Sequence, residues 1–297
     1  MKKQGVVTKL IGCGFILSML FVACSKDRVT QDSYQPLDAF YNSNKQQEQV
    51  FPIDSGGKGC TIVGKMDSTL LYNVCDSSAF INDTTVITRP YQIGLVEIYT
   101  AKDMILWQMS STAGGQLLQI SPAIRVRAFL GNTNYILRPG RSYNAVLRDT
   151  LANQIALNAY DGIQGNNVTW SIDGQSLVTK TPPLDSLIVY NLGWITGGSP
   201  YTPSSTGVIT ISVAGSNTQN IGIFVVFKNI RSVMQITNLT SGPIPANTPF
   251  TFIAFALNQN NQYVVDERAM TISGNTSITL NLQPTTQANL LNLLGAL

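Results

Sequence analysis

Short apolar runs, alternating or rich in β-branched residues, recur at residues 93–99, 124–129, 143–147, 168–172, 187–194, 208–213, 221–227, 250–257, 263–265, 270–272 and 277–282. Clusters of Gly, Asn, Pro and Ser separate them, such as Gly197-Gly198-Ser199-Pro200 and Ser241-Gly242-Pro243. Successive strand side chains leave opposite faces, so closely spaced runs of this kind with turn residues between them predict β-sandwiches. Two segments carry a helical signature instead. Thr100-Ala101-Lys102-Asp103 has capping-box form and opens a short turn through Met104, Ile105 and Leu106 that links two strands. Residues 286–296 set Leu290, Leu291, Leu293 and Leu294 on one side, predicting a C-terminal helix docked on the final sheet. The strand pattern breaks at residues 149–154. The expected fold is all-β: two Ig-like β-sandwich domains in tandem, residues 50–155 and 156–297, the second ending in the short helix.

The start of the chain is different. Residues 10–23 form an uncharged apolar run behind Lys2, Lys3 and Lys9, the basic and hydrophobic regions of a signal peptide. The run is shorter than the roughly 20 apolar residues of a spanning helix. It ends in Leu20-Phe21-Val22-Ala23-Cys24, which resembles the lipobox of bacterial lipoproteins. Residues 1–23 would then be removed, and the Cys24 thiol would carry the lipid through a thioether. An ordinary signal peptide with an incidental cysteine is the alternative. Residues 24–49 are polar and read as a tether. Their opening Ser25-Lys26-Asp27-Arg28 is similar to the short signals that send some Bacteroidetes lipoproteins to the outer face of the outer membrane.

Composition narrows the chemistry. Apolar residues make up 44% of the 297, charged residues 12%, so the chain can bury substantial cores. Losing the leader's three lysines takes the 19 basic residues to 16, equal to the acidic count, which argues against a nucleic-acid partner. Histidine is absent, which removes Ser-His-Asp and Cys-His mechanisms and imidazole zinc sites. No cofactor is expected. With Cys24 lipidated, Cys60 and Cys75 form an even pair in an oxidising compartment, and a disulfide is the default. Residues 61–65 and 69–74 read as a hairpin whose register sets Cys60 opposite Cys75; two buried free thiols are the alternative.

Glu97, flanked by Val96 and Ile98, and Arg125 and Arg127, alternating with apolar neighbours, read as a solvated sheet face with cross-strand ion pairs. Adjacent Asp266 and Glu267 would point to opposite faces and so could not work together on one bond. Asp161-Gly162 and Asp173-Gly174 read as turns. Trp194, with Tyr190 and Tyr201 nearby, is a candidate stacking platform for sugar rings; filling the core is the competing role for a strand tryptophan.

Residues 91–128 resemble a β-domain of two-domain all-β outer-membrane lipoproteins of the Bacteroidetes. The likeness rests on Gly94-Leu95-Val96-Glu97-Ile98, Asp103-Met104-Ile105, Ser110-Ser111-Thr112 with Gly115-Gln116-Leu117-Leu118, and Arg125-Val126-Arg127-Ala128. Leu192-Gly193-Trp194-Ile195, residues 223–227 and Ile244-Pro245 are similar to the partner region of the same proteins. Ser121-Pro122-Ala123 departs from it, where a glycine pair is expected. The resemblance implies location and fold and brings no catalytic residue. Four tripeptides, beginning at Asp67, Asp83, Asp149 and Asp185, are similar to the Bacteroidetes O-glycosylation acceptor and would present Ser68, Thr84, Thr150 and Ser186; Asp-Ser and Asp-Thr are also ordinary turn chemistry. The function expected is a lipid-anchored cell-envelope protein with a non-catalytic structural or binding role. The alternatives are a surface protein that binds glycan, or a hydrolase working with carboxylates alone. Partners would be the membrane, through Cys24, and a glycan or envelope protein.

Overall fold

The computed structural model describes residues 35–54, 60–66, 69–149, 157–165, 167–213 and 220–297. The leader, Cys24, Ser68 and Thr150 lie outside them.

The described chain is mostly β-structure and is organised by one long strand, Gln116–Leu130. Leu117, Leu118, Ile120, Ala123, Ile124, Val126 and Ala128 are all buried along it, so both of its faces meet apolar partners. It turns back on Met109–Ala113 through Gly114 and Gly115, whose φ angles of 56° and 81° suit the twist of a two-residue hairpin. It also pairs with Gly193–Pro200, which pairs with Asn158–Gln164, which pairs with Val168–Ile172. Val168–Ile172 returns to Met109–Ala113 in parallel. These five strands close a ring, and Met109, Leu118, Tyr160, Val168, Trp170 and Trp194 from them share one buried cluster.

Strands on both sides of the break at residues 149–154 belong to this ring: Asn158–Gln164 and Gly193–Pro200, beyond it, complete what Met109–Ala113 and Gln116–Leu130 begin. The ring is narrow. Gly162 and the Gly197-Gly198 pair lie within strands, not in turns. A Cβ on Gly162 would come within 2.6 Å of the Trp194 Cβ, and one on Gly198 within 3.1 Å of the Tyr160 ring. In a narrow ring filled by aromatic side chains, a side chain at Gly162 would force its neighbours to shift, and one at Gly198 would press the Tyr160 ring back by a few tenths of an ångström.

One face of Tyr91–Ile98 and Gln116–Leu130 packs on a second sheet of five strands, ordered Leu177–Thr181, Leu184–Val189, Tyr143–Arg148, Leu70–Tyr72, Thr61–Val63. Leu71, Ile93, Leu95, Val126, Tyr143 and Leu187 meet there. Residues 187–194, expected as one strand, divide at 190–192, and the chain passes there from the second sheet into the ring. A third sheet carries Ser232–Gln235, Gly222–Phe227, Phe250–Leu257, Tyr263–Met270 and Gln283–Thr285. Phe224, Ile253 and Phe255 face the ring's cluster, while Val225, Phe227 and Phe252 join a further core with Ile209, Ile211 and Ile278.

The segment expected as tether is folded from residue 35 onward. Leu37, Phe40 and Tyr41, at helical spacing, bury one side of Asp38–Asn44, and the Phe40 ring packs 5.6 Å from Phe255 and 5.5 Å from Tyr263. The two expected helices form as Ala101–Leu106 and Gln287–Ala296. Thr100 and Thr286 cap them by accepting from the Asp103 and Asn289 N–H groups, each at 3.1 Å. Leu290 and Leu294 are buried against the ring's cluster.

Cys60 and Cys75 are joined by a disulfide, with Cα atoms 5.8 Å apart. The hairpin register is two residues from the expected one: Thr61 pairs with Tyr72 and Val63 with Leu70, which sets Cys60 in line with Asn73. Asn73 turns at φ 66° and brings Cys75 back to meet its partner.

Candidate functional site

Two clefts share a wall of long polar side chains. The larger, about 410 Å³, is lined by Arg125 and Arg127 on one side, Tyr135 on another, and Tyr190, Asn191 and Trp194 around the corner where the chain enters the ring. The second, about 370 Å³, is lined by Asp38, Lys45 and Trp107, and again by Arg125 and Gln164. Arg125 and Trp194 are register partners on neighbouring antiparallel strands, so their side chains leave the same face side by side. The Trp194 indole N–H donates to Gln164 Oε1 at 2.9 Å, and its ring meets Trp107 edge-to-face at 5.1 Å. Lys45 Nζ sits 4.6 Å above the Trp107 ring.

The expected aromatic platform is brought together in part. Trp194 and Tyr190 line the same cleft, but Tyr201 packs against the other core with the third sheet. Trp194 is only 2% exposed, so its ring is part of the core and shows the cleft no more than an edge, while Tyr190 is 36% exposed. The glycine that admits this indole, Gly162, also lines the cleft; the sequence pattern took it for a turn residue.

The expected solvated charged face is corrected at Glu97. This side chain is fully buried, and its Oε2 accepts from Gln49 Nε2 at 2.5 Å and from the Met66 N–H at 3.2 Å. The carboxylate lies where a Cβ on Gly64 would be, 2.5 Å away. Arg127 does make the expected kind of ion pair, donating from both Nε and Nη2 to Glu48 at 2.7 and 2.5 Å. Glu48 fits because its neighbour is Gly94, whose Cβ would stand 2.5 Å from the carboxyl carbon. Burial, and then the charge of Arg127, lower the pKa of Arg125 from its ordinary value.

Carboxylates converge at two other places. Asp149 and Asp185 meet between sheets, 1% and 0% exposed, where Asp149 accepts from Lys180 Nζ at 3.0 Å and Arg231 Nη1 at 2.6 Å, and Ser121 donates to Asp185. Burial pushes the Asp185 carboxyl up; the Ser121 hydroxyl opposes this and the charge of Asp149 adds to it. Neither lines a cleft described above. Asp161 accepts from Asn191 Nδ2 at 2.6 Å, and burial raises its pKa, with a smaller push from Asp173. Asp266 is clamped by Arg268 through Nε and Nη2 at 2.8 and 2.6 Å. Among the described residues no three Asp, Glu, Cys or His side chains group as metal ligands.

Of the acceptor residues, Thr84 is exposed in the tight turn after Asp83, at φ 54°, between Phe80–Asn82 and Thr85–Val86. Ser186 is exposed too, but on a strand paired on both sides, and its Asp185 is buried. No protein-family model matches the chain, and no curated protein is detectably similar to it.

Proposed function

We propose that this is a non-catalytic ligand-binding protein of the bacterial cell envelope, held at the outer membrane by lipid on Cys24, with a glycan as the ligand. The observation that carries the reading is the larger cleft. It brings an exposed tyrosine, a tryptophan edge, the Asn134 and Asn191 amides and two guanidinium groups to one concave surface. Sugar recognition needs this mixture, since hydroxyls take directional hydrogen bonds and the apolar ring face takes an aromatic. The carboxylates speak against the hydrolase alternative: Asp149 and Asp185 are shut away from solvent on bound cations and a hydroxyl, where no sugar ring reaches them. For the architecture, the two face-to-face packings around Leu71 and around Phe252 support a pair of Ig-like sandwiches as the underlying plan, with the closed ring as its elaboration. The likeness to Bacteroidetes lipoproteins supports the location.

The test is a glycan array probed with the full chain purified in detergent, repeated with Tyr190→Ala. Captured glycans whose signal falls about tenfold with the variant support the reading, at roughly the value of one aromatic–ring contact. Release of reducing sugar from any arrayed polysaccharide refutes the non-catalytic part.

A further inference from the structure

Arg125 is the unusual residue of the cleft. It is half-buried on a central strand and lines both clefts at once. Cations in such places are normally matched by a carboxylate, because removing charge from water is costly without one. Glu48, the carboxylate whose charge acts on Arg125, holds Arg127 through both of its oxygens, and Asp38 lines only the second cleft. Among the described residues Arg125 itself makes no ion pair within 4 Å, and no carboxylate lines the larger cleft. Glu48 acts on Arg125 only as a nearby charge, and the Arg125 guanidinium faces the larger cleft with no carboxylate bonded to it among the described residues. Around it stand neutral groups suited to a sugar, namely Gln164, Asn191 and the Tyr190 ring.

From this juxtaposition we propose that the larger cleft selects an acidic carbohydrate, a uronic-acid oligosaccharide, whose carboxylate is received by the Arg125 guanidinium while Tyr190 meets the ring. The proposal rests on the glycan reading above and deepens it. A planar guanidinium takes a carboxylate through two parallel hydrogen bonds, which a neutral hydroxymethyl group at the same position cannot make. The lowered affinity of Arg125 for its own proton has the same origin: burial beside a like charge. A bound anion would relieve both.

The full chain in detergent is titrated calorimetrically with oligomers of galacturonate, glucuronate, mannuronate and guluronate, and with the same oligomers after carboxyl reduction. At least one acid form should bind about 10- to 100-fold more tightly than its reduced counterpart, the range of a charge-assisted pair. Raising salt should shrink that ratio. Arg125→Gln should abolish the ratio, and Arg125→Lys, which keeps the charge but not the fork, should retain part of it; melting curves establish that each variant is folded. If Arg125→Gln is not folded, the lysine variant and the salt dependence decide. Equal affinity for acid and reduced forms would overturn the uronate proposal while leaving glycan binding standing. Failure of acid, reduced and neutral oligosaccharides alike to bind would overturn both.

Discussion

Replacing Asp149 by Asn should destabilise the protein more than any surface substitution. The Asp149 carboxylate is 1% exposed and accepts from Lys180, on the second sheet, and from Arg231, which follows the third sheet's Gly222–Phe227 strand. It therefore ties two sheets through one side chain. Breaking a fully buried pair costs about 3–5 kcal/mol because the abandoned charge stays in the interior. Here the cations are 10% and 23% exposed and can turn partly to water, which brings the expectation to about 2–3 kcal/mol. For a chain of this size that is a fall of about 3–5 °C in Tm. Urea denaturation from pH 4 to 8 adds a second readout. The folded Asp185 carboxyl holds its proton more tightly than the unfolded one, so its contribution is complete below the ordinary carboxylate range and is lost as pH rises through the raised value. Removing the Asp149 charge removes one cause of that elevation, so the decline should end at a lower pH in the variant. A loss under about 0.5 kcal/mol, the usual range for surface substitutions, or an unchanged pH profile, would show that the cluster is not the tie described.

Replacing Cys60 and Cys75 by Ser should cost about 3 kcal/mol in urea melts, the loop-closure value for a separation of 15 residues. Non-reducing peptide mass analysis of the native chain should recover the two cysteines linked. Gly162→Ala should cost about 1–3 kcal/mol, since its methyl would overlap the Trp194 Cβ, and the near-ultraviolet circular dichroism of the tryptophans should change with it. Cys24→Ala should abolish membrane association in fractionation; equal retention of substituted chain whose mass shows the leader removed would refute lipid anchoring.

How much of this could be read from the residues depends on whether the signal was local. Both helices were legible from nearby residues: Thr100 and Asp103, three apart, give the first its capping box, and leucines at 290, 291, 293 and 294 give the second one apolar side. Most strands with β-branched runs were legible too, as at 168–172 and 250–257. Asn158–Gln164 was missed because Asp161-Gly162 is turn chemistry in isolation, and what makes Gly162 a strand residue is an indole 32 residues further on. The helix Asp38–Asn44 was hidden by its polar flanks, although Leu37, Phe40 and Tyr41 carry the spacing. In the cleft, Trp194 and Tyr190 were singled out, whereas the isolation of Arg125 was not visible. It depends on Glu48 choosing Arg127 across two strands, and nothing in the order of residues records that choice.

The ring also constrains how the molecule can be made. Its closing contact joins Gly193–Pro200 to Gln116–Leu130, so the strand laid down first waits some 70 residues of chain for its neighbour. Until then Ile120, Ile124 and Val126 have one flank unpaired, and a chain emerging end-first, from a ribosome or a membrane pore, passes through a stage with an adhesive apolar edge. Any piece ending near residue 155 would be frozen at that stage. Such fragments should be insoluble, and a cell that makes the protein has reason to shield the growing chain until residue 200 is out.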